Sequence, residues 1–187
     1  MNSAVVMGCS AGALSALSQV LPLLPAGFPL PIFVVVHLPP DKESVVPELL
    51  QAKCELNIKE GEDKEEILPG TVYIAPPDYH MQVERQNVIS LSSEEPVLFS
   101  RPSIDILFET AADAYGKELI AIILTGANHD GAAGLKTVCD AGGVAIVQEP
   151  SSSYASAMPE AALKACPAAL VLDLDGIVNY LKNAAAS

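Results

Sequence analysis

The run Val5-Val6-Met7-Gly8-Cys9-Ser10-Ala11-Gly12 closes an apolar stretch with Gly-x-Ser-x-Gly, directly ahead of a helix-like segment. This is the sequence form of a nucleophile elbow, in which a strand delivers a serine to a sharp turn and glycines permit the turn because they lack a Cβ. A helix beginning at Ala11 would aim free backbone N–H groups at the serine oxygen and stabilise an oxyanion there. The same letters also describe a tight strand-to-helix turn with a solvated serine. A serine hydroxyl is a weak nucleophile at neutral pH and needs a base within hydrogen-bond reach. An imidazole suits that task, provided a carboxylate fixes its tautomer. Two further apolar runs end in such groups: Pro31 to Val36 runs into His37, and Leu119 to Leu124 runs into Thr125-Gly126-Ala127-Asn128-His129-Asp130-Gly131. Read singly, His37 is equally a capping or surface histidine, and Asp130 a helix N-cap. Asp78 and Asp105 are rival carboxylates. The order Ser, His, Asp differs from the Ser, Asp, His order of α/β-hydrolases.

What must position these groups is a succession of strands and helices. Apolar runs predict strands at 4–8, 32–37, 56–59, 72–75, 119–125, 144–147 and 169–172. Several are continuously apolar rather than alternating, as expected of parallel strands covered on both faces. Helices are expected at 11–24, 43–53, 103–115, 131–141, 158–165 and 176–182, with Ser103 as an N-cap and Gly142-Gly143 as a stop. Residues 80–84 and 88–91 flank Arg85-Gln86-Asn87 and read as a short antiparallel hairpin. Residues 184–187 read as a frayed tail. The fold class is α/β: a three-layer, doubly wound, mostly parallel seven-stranded sheet with a small hairpin, in one domain over 1–187. In such sheets ligands bind beyond the C-terminal strand ends. Ser10, His37 and Asp130 therefore converge if the first strand is central.

Composition narrows the classes. The chain has 187 residues, 50% hydrophobic and 18% charged, enough to bury a sizeable core. Its net charge of −13 argues against nucleic acid and anionic membranes as partners. No apolar run reaches the roughly 18 residues of a membrane span, and no basic region precedes the first apolar stretch, so neither insertion nor a secretory signal is read. Cys9, Cys54, Cys139 and Cys166 form no C-x-x-C pair, and His37, His80 and His129 are the only histidines, so no metal site is expected. Widely spread cysteines suggest a reducing cytoplasm. Cys9 is either a buried apolar filler or a reactive thiol.

Taken together, these residues resemble the catalytic domain of the chemotaxis protein-glutamate methylesterases, which are also glutaminases. The likeness covers nearly the whole chain. Its words are Gly8-x-Ser10-x-Gly12, Val34-Val35-Val36-His37-Leu38-Pro39, Leu68-Pro69-Gly70-Thr71-Val72-Tyr73-Ile74-Ala75-Pro76-Pro77 with His80 close behind, Arg101-Pro102-Ser103-Ile104-Asp105, Leu124-Thr125-Gly126, Asp130-Gly131 and Met158-Pro159 with Ala161-Ala162. The resemblance implies Ser10 as nucleophile, His37 as general base and acid, and Asp130 as the orienting carboxylate. It places Ala11 and Ala127 at the oxyanion site, and Arg101 and Met158 near the catalytic face. It implies methylated chemoreceptor cytoplasmic domains as partners and requires no cofactor; it assigns no oligomeric state. Departures stand at Ala11 (family Ser or Thr), Ala13 (family Gly) and Ala127-Asn128 (family Met-Gly), and bear on turnover more than reaction type. The family's receiver domain is not seen, so either a stand-alone esterase or an isolated catalytic domain is expected. Other readings are a serine esterase of this fold with a non-chemotaxis substrate, and a non-catalytic receptor-binding relic.

Overall fold

A computed structural model describes residues 3–37 and 45–186. Seven parallel strands form one sheet: β1 (Ala4–Cys9), β2 (Ile32–Val36), β3 (Asn57–Glu60), β4 (Thr71–Ile74), β7 (Leu119–Ile123), β8 (Val144–Gln148) and β9 (Leu170–Leu172). Their order is β3-β4-β2-β1-β7-β8-β9. Strands β5 (His80–Glu84) and β6 (Val88–Ser92) form the separate antiparallel hairpin, turned by Asn87 at φ 64°. The helices are α1 (Ala13–Val20), α2 (Val46–Gln51), α3 (Ile104–Tyr115), α4 (Ala132–Asp140), α5 (Ala157–Ala165) and α6 (Leu174–Ala185).

Period-two alternation divides the core. Along β1, Val5, Met7 and Cys9 face the layer of α1, α2 and α6, while Ala4 and Val6 face α3, α4, α5 and the hairpin. All six residues of β1 are buried, which is why its sequence is apolar without a break. β1 pairs with β2 on one side and β7 on the other, so the winding direction reverses at β1. The expected doubly wound sheet is therefore present, with its switch point at the strand that carries Ser10.

Several boundaries differ from expectation for local reasons. Helix α1 starts at Ala13, not Ala11, because Gly12 is left-handed at φ 84° and serves as the N-cap residue. It gives way at Leu21–Leu23 to a 3-10 turn, since Pro22 has no N–H to extend the α ladder. Helix α2 begins at Val46; the expected start at 43 lies outside the described residues, as do Leu38 and Pro39. Helix α6 begins two residues before Gly176, because Asp173 Oδ1 accepts the Gly176 N–H at 2.7 Å. It runs to Ala185, with Ala184 and Ala185 packed on the core, where a frayed tail was expected.

The cysteines also differ. Cys139 and Cys166 form a disulfide that joins the ends of α4 and α5, a pairing their spacing in sequence did not reveal. Cys9 is fully buried and burial pushes its thiol up to about 12, the property of a filler rather than a reactive group. No helix among the described residues is long and apolar enough to cross a membrane.

Candidate active site

The ends of three adjacent strands define the site. The backbone ladder continues one residue past β1 on both sides: Ser10 N–H donates to Thr125 O at 3.0 Å and His37 N–H to Cys9 O at 3.1 Å. Ser10 is thereby held between the β2 and β7 extensions. The chain then turns through Ala11 and Gly12, and Ala13 N–H closes on Ser10 O at 2.9 Å. A side chain at Gly12 would meet Tyr154, so only glycine fits this turn. Gly8 has a different task from the turn: a Cβ there would collide with Ile104, so its absence lets the start of α3 approach β1. Thr125 ties the loops together. Its Oγ1 donates to Ala11 O at 2.8 Å and accepts the Ala155 N–H at 2.9 Å, while its N–H reaches the buried Gln148 Oε1 at 2.9 Å.

His37 and Asp130 meet directly, Nε2 to Oδ2 at 2.8 Å. Asp130 is buried and takes three further bonds, all from the N-terminus of α3. Oδ2 accepts the Ile104 N–H at 2.7 Å, and Oδ1 accepts the Asp105 N–H at 3.0 Å and Ser103 Oγ–H at 3.1 Å. Burial opposes the Asp130 charge, but the bonds from His37, Ile104 and Asp105 outweigh it and hold the carboxyl below the usual aspartate range. The positive end of the α3 dipole acts in the same direction. Asp130 thus caps α3 rather than α4, whose N-cap residue is Gly131 at φ 94°.

Ser103 has a second partner that sequence reading missed. His80, which opens the expected hairpin, is fully buried at the start of β5, its Nδ1 accepting the Ser103 N–H at 3.1 Å and its Nε2 donating to Glu95 O at 3.1 Å. A run of hydrogen bonds therefore passes from the His80 ring to the Ser103 backbone N–H, and from the Ser103 hydroxyl through Asp130 to His37. The signal for it was Ser103 in a helix-cap position, which did not reveal the bond to Asp130.

The other face of His37 is occupied by Asn128, whose Nδ2 lies 2.9 Å from His37 Nδ1. Ala127 is exposed on the same loop, and among the described residues neither its N–H nor that of Ala11 is donated to the protein. Both are free to donate to a developing oxyanion. Two cavities flank His37. One of about 330 Å³ is lined by Ser10, Leu14, Val45, Val46 and Leu49. The other, of about 270 Å³, is lined by Asp78, Phe99, Arg101 and Pro102. Phe99 and Tyr154 stand exposed at the rim.

Arg101 lines that second cavity, but its guanidinium is engaged with the Ser93 and Glu94 carbonyls at 2.9 and 3.1 Å and with Asp78 at 3.5 Å. Met158 is buried over Gly126, and its N–H donates to Gly126 O at 2.9 Å. It braces the loop from behind and presents no surface to a substrate. His129 is exposed.

Asp105, the rival carboxylate, is turned away from His37 and accepts the Gly134 N–H at 2.7 Å. Burial pushes its carboxyl up to about 6; the Asp130 and Glu109 charges add to this, and the Gly134 bond opposes it. An unfolded aspartate titrates near ~3.9, so the folded state binds this proton more tightly. The stability this supplies is complete below about pH 4 and is lost as pH rises through about 6. Asn at this position keeps the acceptor and cannot ionise. The melting temperature of Asp105→Asn should therefore gain on that of the parent chain between pH 4.5 and 7.5; a constant difference across that span would contradict the buried acid.

Comparison with known proteins agrees with this architecture. A family model described as CheB methylesterase matches residues 5–181. The chain is 39% identical over 163 residues to a protein-glutamate methylesterase/protein-glutamine glutaminase of Archaeoglobus fulgidus, covering 86% of this chain and 47% of that one. It is 46% identical over 176 residues to a Leptospira interrogans relative provisionally named for the same two activities, covering 94% of this chain and 91% of that one. The chain thus spans about half of the first relative and most of the second. The CheB methylesterase catalytic domain of Thermotoga maritima superposes with a TM-score of 0.94 at 35% identity, covering 98% of each chain. With the sheet order, the strand-end constellation and the sequence match over nearly its whole length in agreement, the chain belongs to the CheB methylesterase family.

Proposed function

We propose that this chain hydrolyses glutamate methyl esters on the cytoplasmic domains of chemoreceptors, and deamidates receptor glutamines, through an acyl-enzyme on Ser10. The observation that carries the reading is the placement of Ser10, His37 and Asp130 at three neighbouring strand ends, with His37 Nε2 bonded to a charged, fully satisfied Asp130 at 2.8 Å. The Ser10 oxygen attacks the ester carbonyl carbon, and its proton passes to His37 Nδ1. Asp130 holds the ring and stabilises the imidazolium. The carbonyl oxygen becomes an oxyanion, within reach of the Ala11 and Ala127 N–H groups. Collapse expels methoxide, which leaves as methanol with the proton from His37. Water then attacks the acyl-serine by the same route and releases the glutamate carboxylate. With a glutamine, ammonia is the first leaving group. The exposed apolar rim of Leu14, Leu49, Phe99 and Tyr154 suits a protein substrate better than a small ester.

The test is methanol release from a methylated chemoreceptor cytoplasmic fragment beside hydrolysis of a small activated ester. Release from the receptor should exceed small-ester turnover by orders of magnitude in kcat/KM. Small-ester hydrolysis with an inert receptor would assign a different ester substrate; no hydrolysis of either would point to a binding relic.

A further inference from the structure

We propose that Asn128 is a latch on the base: its amide occupies the lone pair of His37 Nδ1 that must receive the Ser10 proton. This rests on Ser10 and His37 acting as nucleophile and base. The amide orientation follows from its other partner. Asn128 Oδ1 accepts the Asp130 backbone N–H at 3.0 Å, and an N–H can only donate, so the atom it faces is the oxygen. The remaining end is the NH₂ group, which donates to His37 Nδ1 at 2.9 Å. Nδ1 is therefore unprotonated, and Nε2 carries the proton donated to Asp130 Oδ2 at 2.8 Å. This is the tautomer the reaction needs, but the nitrogen that should abstract a proton already holds a donor. Among the described residues Ser10 Oγ makes no hydrogen bond, to His37 or to any other group.

The consequence for the barrier follows from the proton balance. In acylation the Ser10 Oγ–H bond breaks, an Oγ–C bond forms at the carbonyl, the carbonyl π pair moves to oxygen and the proton arrives at Nδ1. The resulting Nδ1–H would face the Asn128 NH₂, two donors with no acceptor between them. The bond exists only before proton transfer and is lost in the transition state, and a contact confined to the ground state slows the chemical step. The loop lets the amide leave: Asn128 is half-buried between exposed Ala127 and His129. Where the family's usual glycine stands, no side chain would reach Nδ1.

The latch is testable on the whole chain at pH 8. In the uniformly ¹⁵N-labelled protein, a scalar coupling across the hydrogen bond should link Asn128 Nδ2 to His37 Nδ1. Asn128→Gly should raise Ser10 phosphonylation by a small neutral fluorophosphonate, and kcat on a small ester at unchanged KM, by roughly three- to tenfold, the effect of one net hydrogen bond. Asn128→Asp keeps the acceptor for the Asp130 N–H but offers Nδ1 a carboxylate that holds a proton on it, so labelling should fall by about tenfold or more. Absence of the coupling in the parent chain, or a folded Asn128→Gly that labels no faster, overturns the latch. Should Asn128→Gly not fold, an Asn128→Asp that labels as fast as the parent overturns it equally. If Ser10 is labelled in no variant while the coupling is present, it is the serine mechanism that fails, and the latch with it.

Discussion

Ser10→Ala should abolish methanol release from methylated receptor while leaving the protein folded. Removing the nucleophile of a serine triad costs on the order of a millionfold in turnover, because no other group can form the acyl intermediate. The structural cost should be small. Ser10 is held through its backbone, by the Thr125 and Ala13 bonds, and among the described residues its hydroxyl makes no hydrogen bond that alanine would lose. A substitution of this kind stays within about 0.5 kcal/mol in stability. Methanol release and thermal melting, measured on the same preparation, separate the two effects. A mutant that keeps most of the parent's release would rule out the serine mechanism, whatever its stability.

Asp130→Asn should be the next most damaging change, and unlike the serine variant it should reduce stability as well. Turnover should fall by roughly 10⁴, because an amide facing His37 favours the wrong tautomer and cannot stabilise the imidazolium. The wrong tautomer carries a proton on Nδ1, and there it would also meet the Asn128 amide. The stability loss comes from donor count. Both carboxylate oxygens accept, Oδ1 from Ser103 and Asp105, Oδ2 from His37 and Ile104. Either placement of an NH₂ group sets it against a backbone N–H of α3, a mismatch worth about 1–3 kcal/mol. Acid should reproduce the stability loss in the parent chain. The Asp130 carboxyl is held below the ordinary range, so its contribution is present above about pH 4 and disappears as pH falls through its folded value. Kinetics with a denaturation curve test both halves. If Asp130→Asn is nearly silent while Asp105→Asn is crippling, the carboxylate has been assigned to the wrong residue.

What could be read from the chain alone follows from the few ways a residue can be satisfied locally. Continuous apolar runs such as 4–9, 32–36 and 119–123 have no polar face to show to water, which demands a parallel sheet with helices on both sides. The polar residues that end those runs, Ser10, His37 and the Thr125 loop, had to lie at one edge of that sheet. The Ser103 cap, the Asn87 turn and the Gly142 stop are likewise settled within a few residues of themselves. Contacts between distant segments were decided by tertiary structure. Asp130 before Gly131 looks like a cap for the helix that follows, but the left-handed Gly131 starts α4 and frees the carboxylate to receive α3, 25 to 27 residues away in sequence. His80 reads only as the first residue of a hairpin strand and is buried because α3 begins over β5. Cys139 and Cys166 are 27 residues apart with no telling spacing, and they meet because α4 packs on α5. Asn128 is visible in sequence only as a departure from glycine. That its amide covers the free nitrogen of His37 depends on the loop folding so that Asp130 N–H fixes the oxygen end, a geometry built from residues 37, 128 and 130 together. Local pattern determines which elements form and which end of the sheet is polar, because burial and backbone conformation act over a few residues. Pairing between side chains waits on packing, because a hydrogen bond between segments far apart in sequence exists only once the layers are in place.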